Sequence, residues 1–191
     1  MRTAIGLKAH SGWAALVALG ADGARPLVIE RRRVELVEEA DAHWAKAPYH
    51  AAEKLRPDQA RDLVRRGIES AHRIAIREMT AVRDRLRDAG HELVACSVLA
   101  GEPMPDWSVD QILAVHFRMH KAEGVLFQDA LIQAANACGV NHVPIREKSL
   151  VDRAQQEIDT IAALGKTIGP PWAKDQKDAA LAAMIGLGRK S

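Results

Sequence analysis

Residues 5–16, IGLKAHSGWAAL, join two apolar runs through a short polar link. Thr3–Lys8 reads as one strand and Trp13–Leu19 as a second, with His10-Ser11-Gly12 between them. Ala21-Asp22-Gly23-Ala24 is the next turn signal. Glycine takes positive φ at little cost there, and the aspartate can bond its own backbone. Leu27–Val37 is a third strand, whose tail sets Val34 and Leu36 against Arg33 and Glu35. That alternation marks one buried and one wet face. The opening third is therefore expected to be a three-strand antiparallel meander.

The remainder alternates helices with short apolar runs. Residues 38–56 are a loop with helical pieces, interrupted by Pro48; they carry His43, Trp44, Tyr49 and His50, side chains suited to covering or lining a site. Asp58–Ala89 has apolar residues three and four apart from Leu63 to Leu86, the period of a helix, and Gly90 follows at its left-handed cap. Residues 91–101, HELVACSVLAG, read as a buried strand, with Val94–Leu99 pairing with the first strand. Pro103 and Pro105 exclude a regular helix over Glu102–Trp107. Ser108 and Gln111 form a capping box that opens a second long helix, continuing to Ala137 and closed by Gly139. Val140–Ile145, with Pro144 inside, is expected as a final edge strand. Leu150–Leu164 and Lys174–Ile185 are the last helices, separated by Gly169-Pro170-Pro171. The order predicts an α/β fold: a mixed sheet, with the meander followed by alternating helices and strands, covered by helices.

Composition sets outer bounds. The chain has 191 residues, 48% of them hydrophobic, which suits a single domain over 1–191, with 149–191 as C-terminal helices. A net charge of +2 does not require a nucleic-acid partner. Arginines are locally dense at Arg31-Arg32-Arg33, Arg65-Arg66, Arg73, Arg77, Arg83, Arg85 and Arg87. They read as solvated faces, so nucleic-acid binding through them is expected to be weak and electrostatic. Cys96 and Cys138 make no disulfide framework and read as buried thiols in a reducing compartment. No run of 18 apolar residues and no signal-like segment is present, so no membrane partner and a cytoplasmic location are expected.

The element order resembles the ribonuclease H-like fold, and within it the Holliday-junction resolvase family. Two stretches carry the resemblance: Ala4-Ile5-Gly6-Leu7 ahead of Lys8, and Asp175 and Asp178 in KDQKDAALAAM. The resemblance implies phosphodiester cleavage by about four carboxylates around divalent metals. Two cations about 4 Å apart clamp the attacking and leaving oxygens, and hard cations need oxygen ligands. Against that pattern, the first-strand carboxylate is replaced by Lys8, and a second, on the strand LVACSVL, is matched by Cys96. Asp175 and Asp178 remain, with Glu102 and Asp106 as substitutes from the following loop. No magnesium or manganese cofactor is expected unless these four acids rebuild a site. The related actin-like nucleotide-binding fold brings an acidic residue and a glycine-rich turn; His10-Ser11-Gly12 offers one glycine and no acid.

Other groupings are compatible with chemistry. His116, His120 and Glu123 share one helical face at i, i+4 and i+7, residue types that suit zinc. Phe117 stands where a zinc-protease motif would put glutamate. Lys8, facing Asp175 or Asp178, would form a salt bridge in place of a metal, or hold a small anion as a point charge. His10 lies beside it in sequence. Cys96 next to Ser97 reads as a buried strand thiol. His72, within the apolar period of the first long helix, reads as a hydrogen-bonded core histidine facing the sheet.

Two function classes follow. One is a non-catalytic ribonuclease H-like binding or assembly protein with a degenerate metal site. The other is an enzyme: a metal-dependent nuclease rebuilt on Glu102, Asp106, Asp175 and Asp178, or a phosphoryl-transfer protein using Lys8. Convergence of those four acids within metal-ligand reach separates the two. A homodimer is expected from Trp44, Trp107 and Trp172 in or near loops, because aromatics outside a core often anchor contacts between chains.

Overall fold

The computed structural model describes residues 1–22, 25–150, 155 and 157–188. Strands β1 (Arg2–His10), β2 (Trp13–Asp22) and β3 (Arg25–Glu35) form the meander, paired antiparallel with His10 opposite Trp13 and Ala14 opposite Val34. Residues 23 and 24 of the turn expected at 21–24 lie outside the described residues.

The chain then passes a 3₁₀ turn (Glu39–Asp41) and two short helices, α1 (Ala42–Ala45) and α2 (Pro48–Ala52). Pro48 starts α2, at the first helical position, where a missing N–H costs nothing. Helix α3 (Pro57–Asp88) follows and ends as its sequence predicts. Gly90 has φ +78°; its N–H reaches Arg87 O at 2.9 Å, and the His91 N–H reaches Leu86 O at 2.8 Å. This paired 5→2 and 6→1 closure satisfies two orphan carbonyls.

Strand β4 (Glu92–Ala100) pairs parallel to β1, with Ile5 beside Cys96 and Lys8 beside Leu99. Beyond it the Ser108–Gln111 capping box forms in both directions, at 3.2 and 2.9 Å. The second long helix is divided, however, into α4 (Val109–Leu113) and α5 (His116–Ala137). Val115 is extended at φ −140°, ψ 114°, a conformation that suits a β-branched residue. Arg118 bridges the break by donating to Gln111 O at 2.9 Å.

The final strand is shorter than Val140–Ile145. Among the described residues only β5 (Ile145–Arg146) pairs there, with Leu99–Ala100, preceded by a lone bridge from His142 to Cys96. Pro144, which has no N–H to donate, lies between the two. A 3₁₀ turn (Glu147–Ser149) follows, then α6 (Ile158–Ile168) and α7 (Lys174–Gly186). Residues 151–154 and 156 of the helix expected from Leu150 lie outside the described residues.

The sheet order is β3-β2-β1-β4-β5. One face, with Ile5, Leu7, Leu16, Val34 and Val98, packs on α3 and α5 through Met79, Val82, Phe127 and Leu131. The other, with Val17, Leu19 and Leu99, packs on Ile161, Leu164 and the run Ala179–Met184. A third cluster, including Tyr49, Val64, Ile112 and Met119, fastens α2 and α4 to the first turns of α3 and α5. Six consecutive buried residues on α7 mean that it is enclosed on all sides. Its alanines permit close approach: a Cβ at Gly6 would collide with the Ala179 carbonyl, so α7 rests directly on the β1 backbone.

Candidate functional site

Strand alternation sorts β1 into two sets. Ile5 and Leu7 enter the α3/α5 core, so Gly6, Lys8 and His10 face α7. The N-terminal part of α7 carries Asp175, in its first turn, and Asp178, three residues on and on the same side of the helix. Seating Ala179 on Gly6 brings those acids against Lys8 and His10. Lys8 Nζ lies 3.3 Å from Asp178 Oδ2 and pairs more closely with Glu147, from the turn after β5. Asp178 Oδ2 also accepts from Lys174 Nζ at 2.6 Å. His10 Nε2 lies 3.1 Å from Asp175 Oδ2, without the alignment of a hydrogen bond. Its ring stacks on Trp13 with centroids 4.3 Å apart, and Arg33 lies 3.9 Å from the centroid of the same indole.

The Lys8 and Asp178 side chains are only 12% and 13% exposed. Burial acts to lower the Lys8 pKa. The hydrogen bonds and charges of Glu147 and Asp178 outweigh it, so the net shift is upward and Lys8 is held as an ammonium. The cluster sits where β1, β4 and β5 all end, the edge at which open α/β sheets bind ligands.

A cleft of about 710 Å³ opens beside the same strand ends, lined among others by Glu102, Asp106, Asp129, His142 and Arg146. Glu102 accepts from Arg146 Nη1 at 3.2 Å and from Lys148 Nζ at 3.5 Å. Burial raises the pKa of Asp129, with the charge of His72 acting in the opposite sense, and burial lowers that of His142. Asp106 is exposed.

These placements bear on the alternative enzyme reading and correct several expectations about single residues. Among the described residues, Glu102, Asp106, Asp175 and Asp178 form no group of three or more with ligand atoms within 4.8 Å of one another; the one such group of metal-ligating side chains is His50, His116 and His120. Glu102 is bound up with Arg146 and Lys148, and Asp178 with two lysines, so this set does not fit the hard divalent cations that the resemblance implies. Cys96 is not on the Lys8 face. It pairs with Ile5 and points into the α3/α5 core, where burial pushes its thiol pKa up to about 12. Leu99 is the β4 residue beside Lys8, and it packs on the α7 side. Cys138 is only part-buried.

Glu123 does not share a site with His116 and His120 as a ligand. It turns to His50, accepting from the backbone N–H at 3.0 Å and meeting Nδ1 at 2.6 Å. His72 is part-buried and lines a second cavity, with Asp129 and Tyr49, rather than the core under the sheet. Most of the dense arginines are paired. Arg32 meets Glu78, Arg65 meets Asp62 and Glu69, Arg77 meets Glu38, and Arg85 meets Glu30. Arg31 donates to the carbonyls of Gly169 and Pro171. The three loop tryptophans are used within the chain: Trp44 donates to Asp41, Trp172 donates to Ile161 O, and Arg118 lies over Trp107.

Sequence reasoning misses Glu147 and names His50 only as a side chain able to line a site, without its partners. Glu147 had one available signal, its place at the end of the last parallel strand. His50 had only its residue type, because the partners that give it meaning lie more than sixty residues away.

No protein-family model and no curated protein sequence matches the chain. Solved structures do. The Thermus thermophilus RuvC structure superposes with a TM-score of 0.51 at 12% identity, covering 95% of this chain and 91% of that one. T. thermophilus RuvC in complex with Holliday junction substrate gives 0.52 at 11% identity, covering 96% and 91%. Similarity of this kind, over nearly the whole of both chains and with the mixed sheet described above, shows that the chain has a ribonuclease H-like fold.

Proposed function

We propose that this protein is a non-catalytic ribonuclease H-like binding or assembly module, in which an ion-pair network stands where the fold's nucleases would keep metal-binding acids. The observation that carries this reading is the pairing of Lys8 with both Glu147 and Asp178. A cation entering there would have to displace an ammonium from two carboxylates. At about 4 Å an ammonium and a cation repel by roughly 4 kcal/mol per unit charge at an effective dielectric of 20. Leu99, next to Lys8 on β4, supplies no ligand.

The cleft beside the network, with Arg146 at its wall, offers a seat for a small anionic group of a partner. The similarity to a RuvC structure solved on a Holliday junction makes branched DNA the first nucleic acid to try. The paired arginines support only weak, electrostatic binding. Self-association as a homodimer belongs to the same reading, and a light-scattering mass of one chain at tens of micromolar refutes that part of it.

The deciding assay incubates labelled duplex, branched and hybrid substrates with the protein and millimolar magnesium or manganese. The expected result is no cleavage, from either the parent chain or Asp175→Asn. Cleavage that co-purifies with the chain and disappears in Asp175→Asn overturns the proposal in favour of the rebuilt acidic cluster.

A further inference from the structure

Apart from the Lys8 network, three histidines from two helices meet at one point. His116 opens α5 and His120 lies one turn on, on the same side of the helix. Their Nε2 atoms are 3.0 Å apart. His50, on α2, closes the group: its ring centroid is 5.2 Å from that of His116 and 4.6 Å from that of His120. One ring nitrogen of each residue lies within 4.8 Å of the other two.

One of the three imidazoles, that of His50, is already oriented as a metal ligand would be. Histidine ligands to a metal almost always spend the second ring nitrogen on a carboxylate or carbonyl, which fixes the tautomer and the ring. Here Glu123 takes the Nδ1 of His50 at 2.6 Å, and the same carboxylate is itself held by the His50 backbone N–H at 3.0 Å. His50 Nδ1 is thereby committed, and Nε2 is left as its ligand atom. On the far side, Glu53 Oε1 lies 3.9 Å from His116 Nδ1. Glu123 therefore stands behind the His50 imidazole without competing for the centre, and Glu53 adds negative charge near His116 from beyond hydrogen-bond reach.

The donor set selects the ion. Three neutral imidazoles suit zinc and its borderline neighbours, and disfavour magnesium or calcium, which need oxygen. In a tetrahedral site with Zn–N of 2.0–2.1 Å, adjacent nitrogens are about 3.3 Å apart. The 3.0 Å pair is close to that spacing. The wider separations close by rotation of side chains that face solvent: the His116 side chain is 64% exposed.

We propose that His50, His116 and His120 bind one zinc-class divalent cation through Nε2, with Glu123 orienting His50 and a fourth position open to water or an exogenous ligand. Such an ion ties α2 to the first turn of α5, a turn that has no side-chain cap of its own.

The test uses the full chain without an affinity tag, stripped by a chelator. Zinc is titrated in competition with a chromophoric chelator, and cobalt(II) is titrated with the visible spectrum recorded. One equivalent of zinc is expected, with cobalt giving the intense visible bands of a tetrahedral ion. His120→Ala and His50→Ala should each abolish those bands and weaken zinc by more than about 100-fold, whereas Glu123→Gln should keep the stoichiometry and weaken it roughly 10–100-fold. His43→Ala, an exposed histidine outside the group, should change nothing. No saturable zinc binding overturns the proposal. So does a His50→Ala variant that binds as the parent does, which would reduce the group to an ordinary i, i+4 pair on α5.

Discussion

Lys8 and Asp178, 170 residues apart in sequence, stand 3.3 Å apart where the N-terminal part of α7 meets the end of β1. Glu147 reaches the same ammonium from a third element, so one side chain closes the strand-end edge of the sheet.

Removing that ammonium should expose the cost of the arrangement. Lys8→Ala leaves Asp178 and Glu147 with one fewer counter-charge in a poorly solvated place, and is expected to destabilise by about 1–3 kcal/mol. Adding Asp178→Asn should recover part of the loss. Urea denaturation of the two single variants and the double variant measures the coupling. Additivity within about 0.5 kcal/mol would mean that the pair does not act as a unit.

Two glycines should respond in opposite directions to the same added methyl group. Gly6→Ala forces the α7 backbone off β1, because the new Cβ meets the Ala179 carbonyl, and overpacking of this kind costs about 1–3 kcal/mol or more. Gly124, on the exposed side of α5, has nothing within 4 Å of the position a Cβ would take, so Gly124→Ala should stabilise by about 0.5–1 kcal/mol through helix propensity. A Gly6→Ala thermal midpoint no lower than that of the parent would show that α7 does not rest on β1 as described, and a Gly124→Ala midpoint that falls would show that the α5 face at Gly124 is not open.

Cys96 predicts a pH effect with a definite sign. Its thiol pKa is raised from 9.0 to about 12 in the folded chain, chiefly by burial. Below pH 9 the thiol is protonated in both states and stability is unaffected by it. Above pH 9 the unfolded chain ionises first, so stability falls with pH until the folded thiol ionises near 12. By pH 10 the loss is about 1.4 kcal/mol. Tyr49, with an ordinary value of 10.0 and an upward shift, adds a smaller fall of the same sign that begins just below pH 10, and Lys8, with an ordinary value of 10.5 and an upward shift, adds one at higher pH still. Chemical denaturation at pH 8.5, 9.5 and 10 follows the effect, and Cys96→Ala should remove this part of the slope.

Nucleic-acid affinity, where measurable, should fall steeply with salt, because backbone contacts of arginine act through counterion release. Fluorescence anisotropy with duplex and branched DNA between low and physiological salt reads it. Arg73, whose side chain donates to Ser70, is the α3 arginine best placed to contribute, so Arg73→Gln should weaken binding and flatten the salt slope by about one. Tight binding that ignores salt would show a partner surface other than the arginines.

Local physics made much of the fold legible in the sequence. Gly90 and Gly139 end their helices because only a residue without Cβ takes the left-handed position cheaply, and both close the helix in the predicted place. Ser108 caps α4 because its hydroxyl and the amide of Gln111 are neighbours along the chain. The alternation of β3 and the apolar period of α3 likewise depend on residues a few positions apart. The break at Val115 was not legible, since the helical period runs through it and only an extended backbone at one residue interrupts it.

The candidate sites lay beyond that reach. Which face of β4 Cys96 occupies depends on its register with β1, and a shift of one residue would have turned it toward Lys8. Glu147 meets Lys8 only because β5 pairs at the sheet edge, and His50 meets His116 and His120 only because α2 packs under α5. The sequence by itself determined the residue types and the local elements that carry them. The tertiary structure decided which charges and imidazoles share a site, because those distances are set by packing between segments tens of residues apart.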